Sequence, residues 1–177
     1  MRGPLLSGPL GSQPSLEALL RWTQGHAPVV VLGPPWLGAA LARGGAAMVL
    51  IETEGRPQAI RVRRRARKEN QPLDIALAAA ELPFRRGSLS ALVIENAAGL
   101  EPVEAQRWVA GLVPSLRPGG RLIAADASSS DAAAARVAGA FVSAALQEVV
   151  QEWPREGAVL TVGVAPPASV IAARQAA

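Results

Sequence analysis

Apolar positions in this 177-residue chain fall into short unbroken runs, separated by stretches in which apolar residues recur at helical spacing. The runs are Val29 to Leu32, Ala47 to Ile51, Ala91 to Ile94 and Leu122 to Ala125, with a weaker one at Leu73 to Leu77. Runs this short, bounded by glycine or by an acid, are the pattern of strands buried on both faces. Between them, Leu16, Leu19, Leu20 and Trp22 share one face of a short helix that Ser15 caps. Trp36 to Ala42 reads as a second helix, ended by Gly44-Gly45. Pro102 to Leu116 reads as another, with Val103, Trp108, Val109, Leu112 and Val113 on its apolar side. Ser128-Ser129-Ser130-Asp131 caps an alanine-rich helix running to about Leu146. Gln147 to Trp153 and Ala158 to Val164 form a hairpin across Pro154-Arg155-Glu156-Gly157.

Strands that alternate with helices build a parallel sheet with crossover helices. The expected fold is therefore α/β: a three-layer sandwich with a mostly parallel seven-stranded sheet, an antiparallel C-terminal hairpin and helices on both faces. Met1 to Pro14 is rich in Gly, Pro and Ser and is expected to be a flexible tail, leaving 15–177 as a single domain. In such sheets ligands bind beyond the carboxyl ends of the strands. Gly33, Glu52, Glu95 and Asp126 all lie at those ends.

Composition narrows the chemistry. Half of the residues are apolar but only 3% are aromatic, so the core must be Ala, Val and Leu. There is no cysteine, which excludes disulfides and thiolate metal sites. His26 is the single histidine, so a His-rich metal site is excluded and any nucleophile–histidine pair would need that residue. It is expected in a solvent-exposed loop, and no metal site is expected. The apolar segment Ala132 to Leu146 is interrupted by Arg136 and is not a membrane span. No charged start followed by an apolar run opens the chain, so a cytoplasmic protein is expected.

Charge is distributed unevenly. The formal net charge is +4, yet Arg56 to Lys68 carries seven positive residues and no acid. The other eleven basic residues are outnumbered by fourteen acidic ones, so the excess is local. Ala59, Val62 and Ala66 give this segment a thin apolar stripe, which implies a helix with an arginine-rich outer face. Arg61, Arg63, Arg64, Arg65, Arg67 and Lys68 are its candidate partner-binding residues. Three readings stay open: a solvated face, a contact with an acidic protein or a nucleic acid, and an approach to an anionic membrane surface. No aromatic residue is interleaved for base stacking.

The order of elements carries a resemblance. Val29 to Leu32 runs into Gly33-Pro34-Pro35-Trp36-Leu37-Gly38 and a helix. Glu52 ends the next strand. Glu81-Leu82-Pro83-Phe84 precedes a later strand, and Leu116-Arg117-Pro118-Gly119-Gly120-Arg121-Leu122 leads into the one after that. From Pro28 to Pro166 the chain resembles a class I S-adenosylmethionine-dependent methyltransferase. That resemblance implies a Rossmann-like fold, with S-adenosylmethionine contacted by Gly33, Pro34, Gly38, Glu52 and Ala79. Glu52 matches the acid that holds the ribose hydroxyls.

Other family positions are changed. The acid of the first strand falls on Val31, the acid that reads the adenine falls near Ala78, and the acid that begins the fourth strand falls on Ser90. Proline replaces N–H donors in the loop. Glu95 is the candidate catalytic residue, as a proton acceptor at the end of the fourth strand. Two functions follow from the resemblance: an interaction or scaffold subunit with weakened or lost cofactor binding, and an active small methyltransferase with an altered glycine loop.

Overall fold

The computed structural model describes residues 13–27, 29–43, 48–52, 60–61, 64–65, 67–70, 73–77, 84–127, 130–155 and 158–167; at 13–14, 35, 48–52 and 73–77 it describes the backbone alone. The strands are β1 (Val29–Leu32), β2 (Met48–Glu52), β3 (Leu73–Leu77), β4 (Leu89–Glu95), β5 (Leu116–Asp126), β6 (Gln147–Arg155) and β7 (Ala158–Val164). They form one sheet in the order β3-β2-β1-β4-β5-β7-β6. Pairing is parallel from β3 to β5. It turns antiparallel where β7 joins β5 and β6 joins β7. The α/β arrangement expected from the strand–helix alternation is present.

The helices are α1 (Gln13–Thr23), α2 (Pro35–Arg43), α4 (Pro102–Leu112) and α5 (Asp131–Ser143). Residues 60–61, 64–65 and 67–68 are helical and are labelled α3. Strand side chains alternate between the two faces. On one face Val29, Val31, Ala91, Val93, Ile123 and Leu160 pack under Leu19 of α1 and Leu37 and Leu41 of α2. On the other, Val30, Leu92, Ile94, Leu122 and Ala124 meet Val109 and Leu112 of α4 and Val137 and Phe141 of α5. The two layers explain why β1 and the Ala91–Ile94 stretch of β4 are uninterrupted apolar runs: neither has a side facing water.

Several boundaries differ from the sequence expectation, each for a local reason. Helix α1 begins at Gln13, so Ser15 is a buried residue inside the helix and not its cap, and residues 13 and 14 leave the expected tail. Thr23 closes that helix by donating its hydroxyl to the Leu19 and Leu20 carbonyls. Helix α4 stops at Leu112 and a 3-10 turn, Val113–Ser115, follows, with Pro114 inside it. Val103 faces solvent, and Ala105 takes the buried position in its place. Ser130 does cap α5, its hydroxyl accepting from the Ala133 N–H at 3.3 Å. The Ala59, Val62 and Ala66 stripe and Leu82-Pro83 lie outside the described residues.

Arg117-Pro118-Gly119-Gly120 is expected as a turn before β5. It is instead a bulge within β5, because Leu89 pairs with Leu116 and Ala91 with Arg121. Gly119 takes a φ of +73°, and its N–H donates to the Ala165 carbonyl at 3.0 Å. The Ala165 N–H returns a bond to the Gly120 carbonyl at 2.8 Å. A Cβ on Gly120 would lie 2.8 Å from the Arg117 carbonyl oxygen and 2.9 Å from that of Leu89. Beyond the bulge, the Arg121 guanidinium donates to the Trp22 carbonyl at 2.8 Å and covers its indole ring at 5.4 Å. Trp22 in turn donates its indole N–H to Glu152 of β6 at 2.7 Å, and Arg21 pairs with the same carboxylate. One chain of contacts thus ties α1 to β5 and to the edge strand β6.

Two glycine exchanges test this account. Gly120→Ala should cost about 1–3 kcal/mol, since the obstructing atoms are backbone. Ala145 follows α5 at φ 65°, in a cap where Leu146 N–H reaches the Phe141 carbonyl at 3.1 Å. Ala145→Gly should therefore add about 0.5–1 kcal/mol. Urea unfolding of both variants measures the two effects.

Candidate functional site

The chain runs outward from β1 through β2 to β3, then crosses to β4 and β5 on the other side. The switch point lies between β1 and β4, where an α/β sheet opens a crevice beyond its strand ends. Val31 pairs with Val93 and Leu32 with Ile94 across it, so Gly33 and Glu95 leave the sheet side by side. A Cβ on Gly33 would stand 3.3 Å from Glu95 Cβ and 3.7 Å from Glu95 Oε2. Gly33 is what lets the Glu95 side chain lie across the β1–α2 loop. On the other flank Leu32 pairs with Ile51, so Gly33 and Glu52 each stand one residue beyond a paired position.

Behind Glu95 lies a second acid. Glu95 pairs with Ala125, which places Asp126 one residue past it on β5. Asp126 is 1% exposed. Its Oδ1 accepts the Ala98 N–H at 2.8 Å and so holds the 3-10 turn Ala97–Gly99 down onto β5. Its Oδ2 is buried and has no hydrogen-bond partner among the described residues. The turn begins at Asn96, which adopts left-handed backbone at φ 62°, a conformation asparagine tolerates better than most residues. Its side-chain Oδ1 would be 2.6 Å from a Cβ on Gly99, so Gly99 is needed for the Asn96 amide to fold over the turn.

Burial pushes the Glu95 carboxyl above its ordinary range, and the nearby Asp126 charge pushes it further. Burial likewise raises Asp126, against the opposing hydrogen bonds from Ala98 and Ala97. The two acids form a coupled pair at the carboxyl edge, one reaching the crevice and one buried beneath the following turn.

The β1–α2 loop offers few donors. Pro34 and Pro35 have no N–H. The Leu37 N–H is bonded to the Pro34 carbonyl at 3.0 Å. Gly38 is buried within α2. Val31 is fully buried, in the core beneath α1 and α2. Gly33, Pro34, Gly38 and Glu95 thus cluster at the switch point, with the β2 terminus at Glu52 alongside. Ala78 and Ala79 lie outside the described residues.

Ser90 does not border the crevice. It is a buried residue five positions before Glu95, about 17 Å away along β4. His26 is expected in open solvent but is half-buried at that opposite edge, with an enclosed Nδ1 that has no partner among the described residues. Burial and the charges of Arg121 and Arg117 lower its pKa, opposed by a hydrogen bond to the Ser90 backbone. Asp126, expected at a strand end, is the buried support of the 97–99 turn. An acid ending the apolar β5 run was its one sequence signal. Of the basic residues, Arg61, Arg64, Arg65, Arg67 and Lys68 are all exposed, and Arg63 lies outside the described residues. Among the described residues no group of three or more His, Cys, Asp or Glu could hold a metal ion. Nor is any helix there long and apolar enough to cross a membrane.

No family model and no curated relative matches the chain. Solved structures do. It is similar to the S-adenosylmethionine-dependent methyltransferase SibL (TM-score 0.68, 17% identity), covering 88% of this chain and 55% of that one. It is also similar to PigF, solved with SAH (TM-score 0.65, 16% identity, 84% of this chain and 54% of that one). A third similar chain comes from the Haloferax volcanii complex of the Trm112 methyltransferase activator with a candidate methyltransferase (TM-score 0.64, 18% identity, 86% and 89% covered). This protein spans about half the length of SibL and PigF. It has a class I S-adenosylmethionine-dependent methyltransferase-like fold.

The coupled acids make stability depend on pH in a defined direction. Each has a folded pKa above its unfolded value of about 4. Stability from their protonated forms is present below that value and is lost as pH rises through the folded pKa. In melts from pH 4 to 8, the Tm of the wild type relative to Asp126→Asn should therefore fall as pH rises. A constant difference across the range would refute a raised folded pKa at Asp126.

Proposed function

We propose that this is a methyltransferase-fold protein with weakened or lost S-adenosylmethionine binding, in which residues 15–177 act as one domain and serve as an interaction or scaffold subunit. The observation that carries this reading is the β1–α2 loop. The cofactor-facing loop of such a fold must present N–H groups and a first-strand acid. Here two consecutive residues lack an N–H, a third N–H is taken by the Pro34 carbonyl, and Val31 is packed into the core. These residues do not fit the cofactor in the usual manner. Each charge-assisted hydrogen bond forgone is worth about 1.5–3 kcal/mol, or roughly 10–150-fold in affinity. The Ala78 position adds a second absent acid.

A subunit of this kind needs a contact surface, and α3 supplies one in Arg61, Arg64, Arg65, Arg67 and Lys68, with Arg63 between them in sequence. Fold precedent for assembly comes from the Haloferax volcanii complex, which pairs a candidate methyltransferase with an activator. A cytoplasmic setting belongs to the same proposal.

Glu95 favours a second reading, an active small methyltransferase with an altered loop. A half-buried carboxyl beside Gly33, its pKa raised by burial and by the Asp126 charge, can accept the proton of an amine or hydroxyl nucleophile.

Calorimetry and thermal melts with S-adenosylmethionine separate the two. The scaffold reading expects no heat and no rise in Tm at millimolar cofactor. Micromolar binding that disappears in Glu52→Ala would overturn it and favour the enzyme.

A further inference from the structure

Helix α3 exposes every residue whose side chain is described: Ile60, Arg61, Arg64, Arg65, Arg67 and Lys68. At the helical spacing of 100° per residue these six positions fall within an arc of about 160°, in the angular order Arg67, Ile60, Arg64, Lys68, Arg61, Arg65. The arc extends about 12 Å along the helix axis. Five of its six members are cations. Among the described residues it carries one ion pair, Arg65 Nε to Glu69 Oε1 at 2.7 Å. The Arg65 hydrogen bond, with further help from the charges of Arg43 and Lys68, holds the Glu69 carboxyl below its usual range.

The chemistry of the face distinguishes between partners. A protein partner needs an apolar or aromatic centre to bury, with charges kept to the rim. Among its described residues this face has one apolar side chain, Ile60, 51% exposed and flanked on the arc by Arg67 and Arg64. Single-stranded nucleic acid calls for aromatic platforms, and the segment contains none. Closely spaced guanidinium groups without either feature suit phosphate oxygens, which they can grip in bidentate fashion.

We propose that the α3 face binds the phosphate backbone of a nucleic-acid duplex without reading its sequence. This rests on the reading of α3 as a contact surface, but not on the fate of the cofactor site. Affinity is expected in the range of roughly 10⁻⁴–10⁻⁶ M at physiological salt, the usual strength of backbone-only contacts. About four phosphate contacts give a slope of log K against log salt near −3.6, or about a 150-fold loss between 50 and 200 mM salt.

Fluorescence anisotropy with a labelled mixed-sequence DNA duplex of about 20 base pairs tests this. The double variant Arg61→Gln/Arg64→Gln should bind more weakly and lose only about 10-fold over the same salt range. Both side chains are exposed, so its melting curve should match the wild type and exclude unfolding as the cause. A poly-glutamate peptide serves as the competing probe. Duplex binding that is absent, or is unchanged in the variant, overturns the proposal. So does tighter binding of poly-glutamate than of duplex through the same arginines, which would make the face a protein contact. Cofactor titration and duplex titration are read separately, so the failure of one proposal is distinguishable from that of the other.

Discussion

Two apolar strands from distant parts of the chain must lie side by side for anything else here to exist. Strands β1 and β4 are parallel neighbours, buried on both faces, and their pairing creates the switch point of the sheet. Neither could be left exposed, because each is apolar on both faces and would waste its transfer free energy in water. Once they pair, the residues leaving their carboxyl ends are forced together. Gly33 and Glu95 meet there at van der Waals distance, and any side chain on residue 33 would have to share space with Glu95.

The two edges of the sheet play different parts. At the amino edge, the bulge of β5 is fastened to Ala165, and Arg121 reaches Trp22, which joins the helix in front of the sheet to the edge strand behind it. Those contacts are architectural. At the carboxyl edge, buried Asp126 holds the 97–99 turn through one oxygen, while its second oxygen has no partner among the described residues. A buried carboxyl with an unmet oxygen is a cost the fold carries at the crevice, where it raises the proton affinity of Glu95. The arrangement prepares a proton site beside a loop whose own donors have been removed. This is the physical tension between the two functional readings.

The strands were legible because burial on both faces leaves an unmistakable run of apolar residues. Val29 to Leu32, Leu73 to Leu77 and Ala158 to Val164 stand as read. The helix ends were less so. Ser15 looked like a cap because serine before an apolar run usually is one, yet the helix starts earlier and buries it. Arg117 to Gly120 read as a turn because Pro-Gly-Gly breaks regular structure, yet the neighbouring β4 kept the segment within the ladder as a bulge. At the site, the acid-ended strands and the loop prolines were visible as chemistry, while the support that Asp126 gives to residues 97–99 was not.

Local composition decided which segments could be strands, that the loop after β1 lacks donors, and that positive charge is concentrated before β3. These follow from properties of single residues and near neighbours: a missing N–H, an apolar run, a charge. Tertiary structure alone decided that Glu95 lies against Gly33, that Ser90 is at the far end of its strand from the crevice, and that His26 is partly enclosed. Those facts depend on register and crossover between segments separated by sixty residues or more, which no local pattern encodes. The described cations of α3 could be counted from the chain; that they share one exposed face needed the helix to be placed.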